Sequence, residues 1–178
     1  MTRVAWNGEP DWRTEVCELR LGDDGLTATG AQLGSDPRPY RAAYELEVRG
    51  DWVTRRLRVE VAGAGTLELR HDGKGNWAGV ENAAELEGAL DCDLAFSPLT
   101  NLMPIRRHRL HEQPGTADFA MAWVSLPDLK VHRSQQRYEH LAPGRVRFSD
   151  DDGFTADLEL DADGIVVLYP GLARRMSG

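Results

Sequence analysis

Alternation of apolar and polar side chains is the dominant pattern along the chain. Tyr44, Leu46 and Val48 alternate with Glu45, Glu47 and Arg49. Leu57, Val59 and Val61 alternate with Arg56, Arg58 and Glu60. Phe154, Ala156, Leu158 and Leu160 alternate with Thr155, Asp157, Glu159 and Asp161. A period of two gives each strand one dry and one wet face. Turn signals separate these segments: GDDG at 22–25, DPRP at 36–39, RGD at 49–51, AGAG at 62–65 and HDGKG at 71–75. QPG at 113–115, APG at 142–144, DDDG at 150–153, DADG at 161–164 and YPG at 169–171 continue the series. Such spacing predicts sequential antiparallel strands rather than βαβ units. No shift in composition marks a linker, so residues 1–178 read as one domain.

Two segments depart from simple alternation. In DFAMAWVS, Phe119, Met121 and Trp123 share a bulky face, and Ala120, Ala122 and Val124 share a small one. A small face admits close approach by another element, with a helix as the natural candidate. In VHRSQQRYEHL, residues 131–141, neither face is hydrophobic. That strand is either a charged edge, the reading favoured here, or one that presents a face to a wet cavity.

SPLTNLMPIRRHRL, residues 97–110, is the one stretch with helical character. Ser97 suits an N-cap and Pro98 the first helical position. Leu99, Leu102 and Met103 then fall on one face. Pro104 interrupts a helix interior, so the pattern predicts a helix near 97–109 whose end is open. The expected fold is mainly β: a many-stranded antiparallel sheet rolled around one principal α-helix.

Charge narrows the partners. The chain carries a formal net charge of −8, which disfavours nucleic acid and anionic membrane surfaces. No apolar run spans a bilayer, and the first residues lack a signal-peptide core. The expectation is a cytoplasmic protein. Cys17 and Cys92 lack CxxC or His companions and read as buried free thiols.

Five segments together resemble the glycolipid-binding family of bacteria, a former domain of unknown function. They are GNWAG at 75–79, LDCDLAFSPLTNLMPIRR at 90–107, VSLPDLKV at 124–131, QRY at 136–138 and DADGIVVLYPGLARR at 161–175. They cover roughly residues 70–176. Cys92 stands where the family usually has Val or Ile, and Ser97 where it often has Thr. The resemblance implies a spiral β-roll, homodimers, and an outline similar to bacterial lipoprotein carriers.

Candidate chemistry is sparse. In RRHR, residues 106–109, Arg106 and Arg107 offer bidentate forks for a phosphate or carboxylate, or pair with the chain's own acids. Asp91 and Asp93 share a strand face and face those arginines as ion pairs, or act as a general acid/base pair. His108 and His111 have helical chelate spacing but no third ligand, so no metal is expected. DADGIV lacks the Glu a calcium loop needs at its twelfth position, where Leu172 stands. HDGKGN reads as a hairpin turn, and no cofactor motif occurs.

Three readings of function remain. The first is a non-catalytic binder of a glycolipid or other amphiphile in a pocket of the roll. Asn101, Arg106, Arg107, Gln136, Arg137 and Tyr138 would sit near its mouth, with Asp91 and Asp93, and Trp77 and Tyr169 as aromatic surfaces. The second is a small-molecule hydrolase or isomerase with Asp91 or Asp93 as general base. The third is a structural dimer without a ligand.

Overall fold

The structure is a computed structural model and describes residues 1–176. Seven strands form the first half of the chain: β1 (Thr2–Gly8), β2 (Arg13–Leu21), β3 (Leu26–Gly34), β4 (Tyr40–Arg49), β5 (Val53–Val61), β6 (Gly65–His71) and β7 (Trp77–Ala78). A 3₁₀ turn at Ala83–Leu86 leads to β8 (Asp91–Leu94), and a second one at Pro98–Asn101 leads directly into α1 (Leu102–Arg107). The chain then makes β9 (Thr116–Val124), β10 (Val131–Ala142), β11 (Arg145–Asp150), β12 (Thr155–Leu160), β13 (Val166–Tyr169) and β14 (Ala173–Arg175). Each turn signal read from the sequence lies at or beside a junction between these strands or, for QPG, just before β9.

All fourteen strands belong to one sheet, ordered β7-β6-β5-β4-β3-β2-β1-β14-β13-β12-β11-β10-β9-β8. The order is sequential on both sides of a seam where β1 pairs with β14. The two edge strands, β7 and β8, are therefore consecutive in the chain, joined through residues 79–90. So short a connection brings the edges together and rolls the sheet. Indole Nε1 of Trp77 donates to the Ala89 carbonyl at 2.8 Å. Backbone N–H of Thr54, in β5, donates to the Leu90 carbonyl, and Thr54 Oγ1 accepts from the Cys92 N–H, both at 3.2 Å.

Burial follows the predicted alternation: Tyr44, Leu46, Val48, Leu57 and Val59 are all buried, and their polar neighbours lean outward. One pair departs from the antiparallel expectation. β8 runs parallel to β9. Parallel neighbours need a crossover connection, and here the crossover is the helical segment itself, which carries the chain from one to the other.

That segment is continuous from Pro98 to Arg107, 3₁₀ and then α. Ser97 holds the extended cap conformation, but its hydroxyl makes no cap; it donates to Glu15 Oε1 at 2.8 Å. Pro104 lies in the first turn of the α part, where a missing N–H costs least. Arg109, at φ 53°, ends the helical run in a left-handed conformation. Leu99, Leu102, Met103 and Ile105 are fully buried. Leu99, Leu102 and Met103 join the larger core with Leu57, Leu69 and Trp77. Ile105 joins a smaller one with Tyr138, Phe148 and Leu158. The helix thus links two cores.

Both unusual strands line the inside of the roll. The small face of β9 packs into the larger core: Ala122 and Val124 share one cluster with Leu86 of the first 3₁₀ turn, with Leu99, Leu102 and Met103 of the helical segment, and with Leu57 and Leu69. From Met121 to Val124 the strand is buried or half-buried on both faces. And β10 is not an edge. It pairs with β9 over Val131–Glu139 and with β11 over Gln136–Ala142. Its polar inner face, with Ser134 and Gln136, lines a cavity, and its other face meets solvent.

Replacing Met103 with alanine removes the side chain at the junction of the two cores. The expected loss of unfolding free energy is about 2–5 kcal/mol, read from urea denaturation followed by circular dichroism.

Candidate functional site

Because β8 to β11 face the helical segment across the inside of the roll, their inner residues leave an open cleft of about 390 Å³. Its lining sorts by chemistry. Trp123 of β9 and His132 of β10 are register partners, and their rings lie 4.6 Å apart. On the other side Phe148, Phe154 and Tyr169 form a second aromatic group, with centroids 5.8–6.2 Å apart. Phe154 is 42% exposed, so an apolar ring stands at the rim. Between the groups lie Asp93, Asn101, Ser134, Gln136 and Asp150, with Ser97 and Asp152 nearby. No lysine or arginine lines the cleft.

Asp93 sits in its floor. Thr100 Oγ1 donates to one carboxylate oxygen at 2.7 Å and Gln136 Nε2 to the other at 2.6 Å. Burial pushes this carboxyl above the usual range, against the pull of those two donors. The Tyr138 hydroxyl lies behind, 2.9 Å from Asn101 Oδ1 and 3.1 Å from Gln136 Oε1. Thr100, Asp93, Gln136, Tyr138 and Asn101 form one polar chain that fixes the floor before any ligand arrives.

A second polar node lies behind the cleft wall formed by Ala95, Phe96 and Ser97. Glu15 is buried and accepts from Tyr44 at 2.5 Å, Ser97 at 2.8 Å and Gln32 at 3.4 Å. Burial pushes its carboxyl up to about 7, against the pull of those three donors. Gln32 also donates to the Ala95 carbonyl at 3.3 Å. Arg13 stacks on Phe96 at 3.8 Å. Nothing in the candidate chemistry pointed to Glu15. The signal was present: period two in RTEVCELRL puts Glu15 on the dry face with Cys17 and Leu19.

Of the residues read as candidates, the structure gathers Asp93, Asn101, Gln136 and Tyr169 at the cleft, with Tyr138 directly behind. The others lie elsewhere. Arg107 forms a buried ion pair with Asp91, their side chains 7% and 1% exposed. Burial pushes Asp91 up to about 7, against the attraction of that guanidinium. Nε and Nη1 of Arg107 and Oδ1 of Asp91 have no hydrogen-bond partner. Arg106 lies over Trp52 at 4.7 Å and donates to the Asp163 carbonyl at 3.3 Å. Both arginines border a separate groove shared with Asp23, Asp24 and Asp51. Arg137 forks onto Asp118 at 2.7 and 2.9 Å. Trp77 is buried in the core.

Asp150, Asp152 and Phe154 sit in or beside a turn signal and are not among the candidates read from the sequence, nor is Phe148, a regular inward position of β11. His132 and Ser134 were visible as part of the doubly polar strand. Cys17 and Cys92 are free and buried, and burial pushes both thiols up to about 12. His111 is buried while His108 leans on Phe119, ring centroids 5.1 Å apart. Among the described residues no group of three His, Cys, Asp or Glu side chains is placed to hold a metal. No helix among them is long and apolar enough to cross a membrane.

Two outcomes follow from the buried carboxylates. Arg107→Ala strands the Asp91 charge and is expected to cost about 3–5 kcal/mol in urea unfolding; Asp91→Leu with Arg107→Met, which removes both charges, costs less. For Glu15, the folded chain holds its proton up to about pH 7 whereas an unfolded carboxyl releases it near 4.5. The native state binds more protons in that window, so stability falls as pH rises through it and stays lower above. The expected fall is about 3 kcal/mol. Glu15→Gln removes it, and unfolding curves at pH 5 and pH 8 measure the difference.

Residues 3–175 match the family described as "Putative glycolipid-binding". A crystal structure of a DUF1089 family protein from Pseudomonas aeruginosa superposes with a TM-score of 0.77 at 31% identity, covering 91% of this chain and 92% of that one. No curated protein matches. With nearly its whole length matched and its roll shared by a solved relative, the chain belongs to this glycolipid-binding family.

Proposed function

We propose that the chain binds an amphiphile of the glycolipid class in the cleft beside α1, without acting on it chemically. The observation that carries this reading is the division of the cleft: apolar rings at its rim and sides, and a preset polar floor around Asp93. Tail carbons suit the Phe148–Phe154–Tyr169 group, and a head group suits Asn101, Gln136 and Asp93. The family description supports the class of ligand. Arg106, Arg107 and Arg137 have no part in this reading, because their guanidiniums are engaged elsewhere.

The hydrolase or isomerase reading is weaker. Asp91 is 1% exposed and paired, so no substrate proton reaches it. Asp93 touches the cleft, but the hydrogen bonds from Thr100 and Gln136 pull its basicity down and fix the carboxylate as an acceptor. A second copy of the chain is proposed as partner. Register pairs Ala5 with Val16, Val16 with Ala31 and Ala31 with Ala43. This apolar row crosses the outer face of β1 to β4, with Leu33 beside it at 39% exposure and Val16 at 51%. An exposed patch of this kind suits a self-complementary contact. The free thiols and acidic charge fit a cytoplasmic setting.

Octyl glucoside, titrated below its micelle threshold and followed by tryptophan fluorescence, is expected to bind saturably. Phe154→Asp is expected to weaken it at least tenfold at unchanged melting temperature; equal affinity in that variant refutes the site. Light scattering on a size-exclusion column is expected to give a dimer mass for the native chain and a monomer mass for Val16→Glu.

A further inference from the structure

The cleft's charge is the feature the amphiphile reading does not use. The chain has 21 lysines and arginines, yet none lines the cleft. Its acidic and basic lining is Asp93, Asp150, Asp152 and His132. We infer that the cleft selects its ligand by charge, taking an uncharged sugar head group and rejecting phosphate, sulfate or carboxylate; this rests on the amphiphile reading above.

The argument is one of complementarity. A phosphate or sulfate entering here would meet three carboxylates and no guanidinium or ammonium to offset them. Like charges brought together in a partly dry site repel strongly. The groups present are those that hydroxyls satisfy. A sugar hydroxyl donates to a carboxylate or amide oxygen and accepts from an amide N–H. Asp93 offers lone pairs left over after Thr100 and Gln136, which hold its orientation fixed. Ser134 can give or take. Trp123, half-buried beside His132, supplies an aromatic surface for the C–H face of a pyranose ring. A cationic head group is the rival, since three carboxylates also attract an ammonium. The amides argue against it: Asn101, Gln136 and the serine hydroxyls are suited to a ligand that both gives and accepts hydrogen bonds, which a quaternary ammonium cannot do.

Three ligands with one tail test this: octyl glucoside, octyl sulfate and octyl trimethylammonium, each titrated into the full chain below micelle formation at low salt. The expected order has the glucoside at least tenfold tighter than the sulfate and no weaker than the ammonium. Equal or tighter binding of the sulfate overturns the charge selection and leaves the amphiphile reading standing. Tighter binding of the ammonium also overturns it, and makes the cleft a cation site. If none of the three binds, the amphiphile reading has failed. Methyl glucoside, which has no tail, then decides the present inference: binding supports it and absence of binding overturns it. Asp152→Asn adds an independent check. It is expected to strengthen octyl sulfate binding severalfold at low salt, with the gain shrinking as salt rises, and an unchanged sulfate affinity counts against charge as the cause.

Discussion

A strand buried on both faces and paired on one side leaves a row of backbone groups that only its own protein can satisfy. β8 is that strand, and the interior depends on how its open side is closed. Thr54 does part of this work, bonding to the Leu90 carbonyl and the Cys92 N–H from the opposite wall. Side chains add further ties between this strand and its surroundings. Asp91 pairs with Arg107 at the end of α1, and Asp93 is held by Thr100 and by Gln136 of β10. These two carboxylates, two residues apart, tie the inner edge of the sheet to the helix and to the neighbouring wall.

The cleft is a by-product of that tie. Asp93 serves at once as a clamp between β8 and β10 and as the floor of an open space, so the position that holds the roll together also sets what the roll can hold. Glu15 does a similar task from the inner face of β2, where its bond with Ser97 holds the corner at which β8 turns into the helical segment. Phe96, at φ 66° in that corner, is braced by Arg13. The polar interior is therefore costly, and two of its carboxyls are pushed up to about 7 by burial.

Local rules made the strands legible, because alternation and turn chemistry are properties of adjacent residues. The helix could be read from Leu99, Leu102 and Met103 for the same reason. What alternation cannot report is which wet face looks into a cavity. β10 has two polar faces and reads as an edge, yet it pairs with its sequence neighbours β9 and β11; what no short window contains is that the roll turns one of those polar faces inward to a cavity. The arginines are a related case. RRHR is conspicuous as a cluster, but the fold spends Arg107 on Asp91 and aims Arg106 at Trp52. The pairing of Asp91 with an arginine was among the readings, since both Asp91 and Asp93 share a face. The aromatic half of the cleft was hidden, because Phe148 and Phe154 look like ordinary strand and turn positions until β11 to β13 are stacked.

The seam between β1 and β14 bears on how the molecule is made. Apart from that pairing and the parallel β8–β9 crossover, every ladder joins consecutive strands antiparallel, so each arm can zip up from short hairpins. The seam joins residues near 6 to residues near 175, with the largest loop-closure entropy in the sheet. Folding rates fall as such distant contacts come to dominate. Two quickly formed meanders awaiting one slow closure would spend their waiting time with raw strand edges facing water, which makes the seam the point of greatest exposure to aggregation.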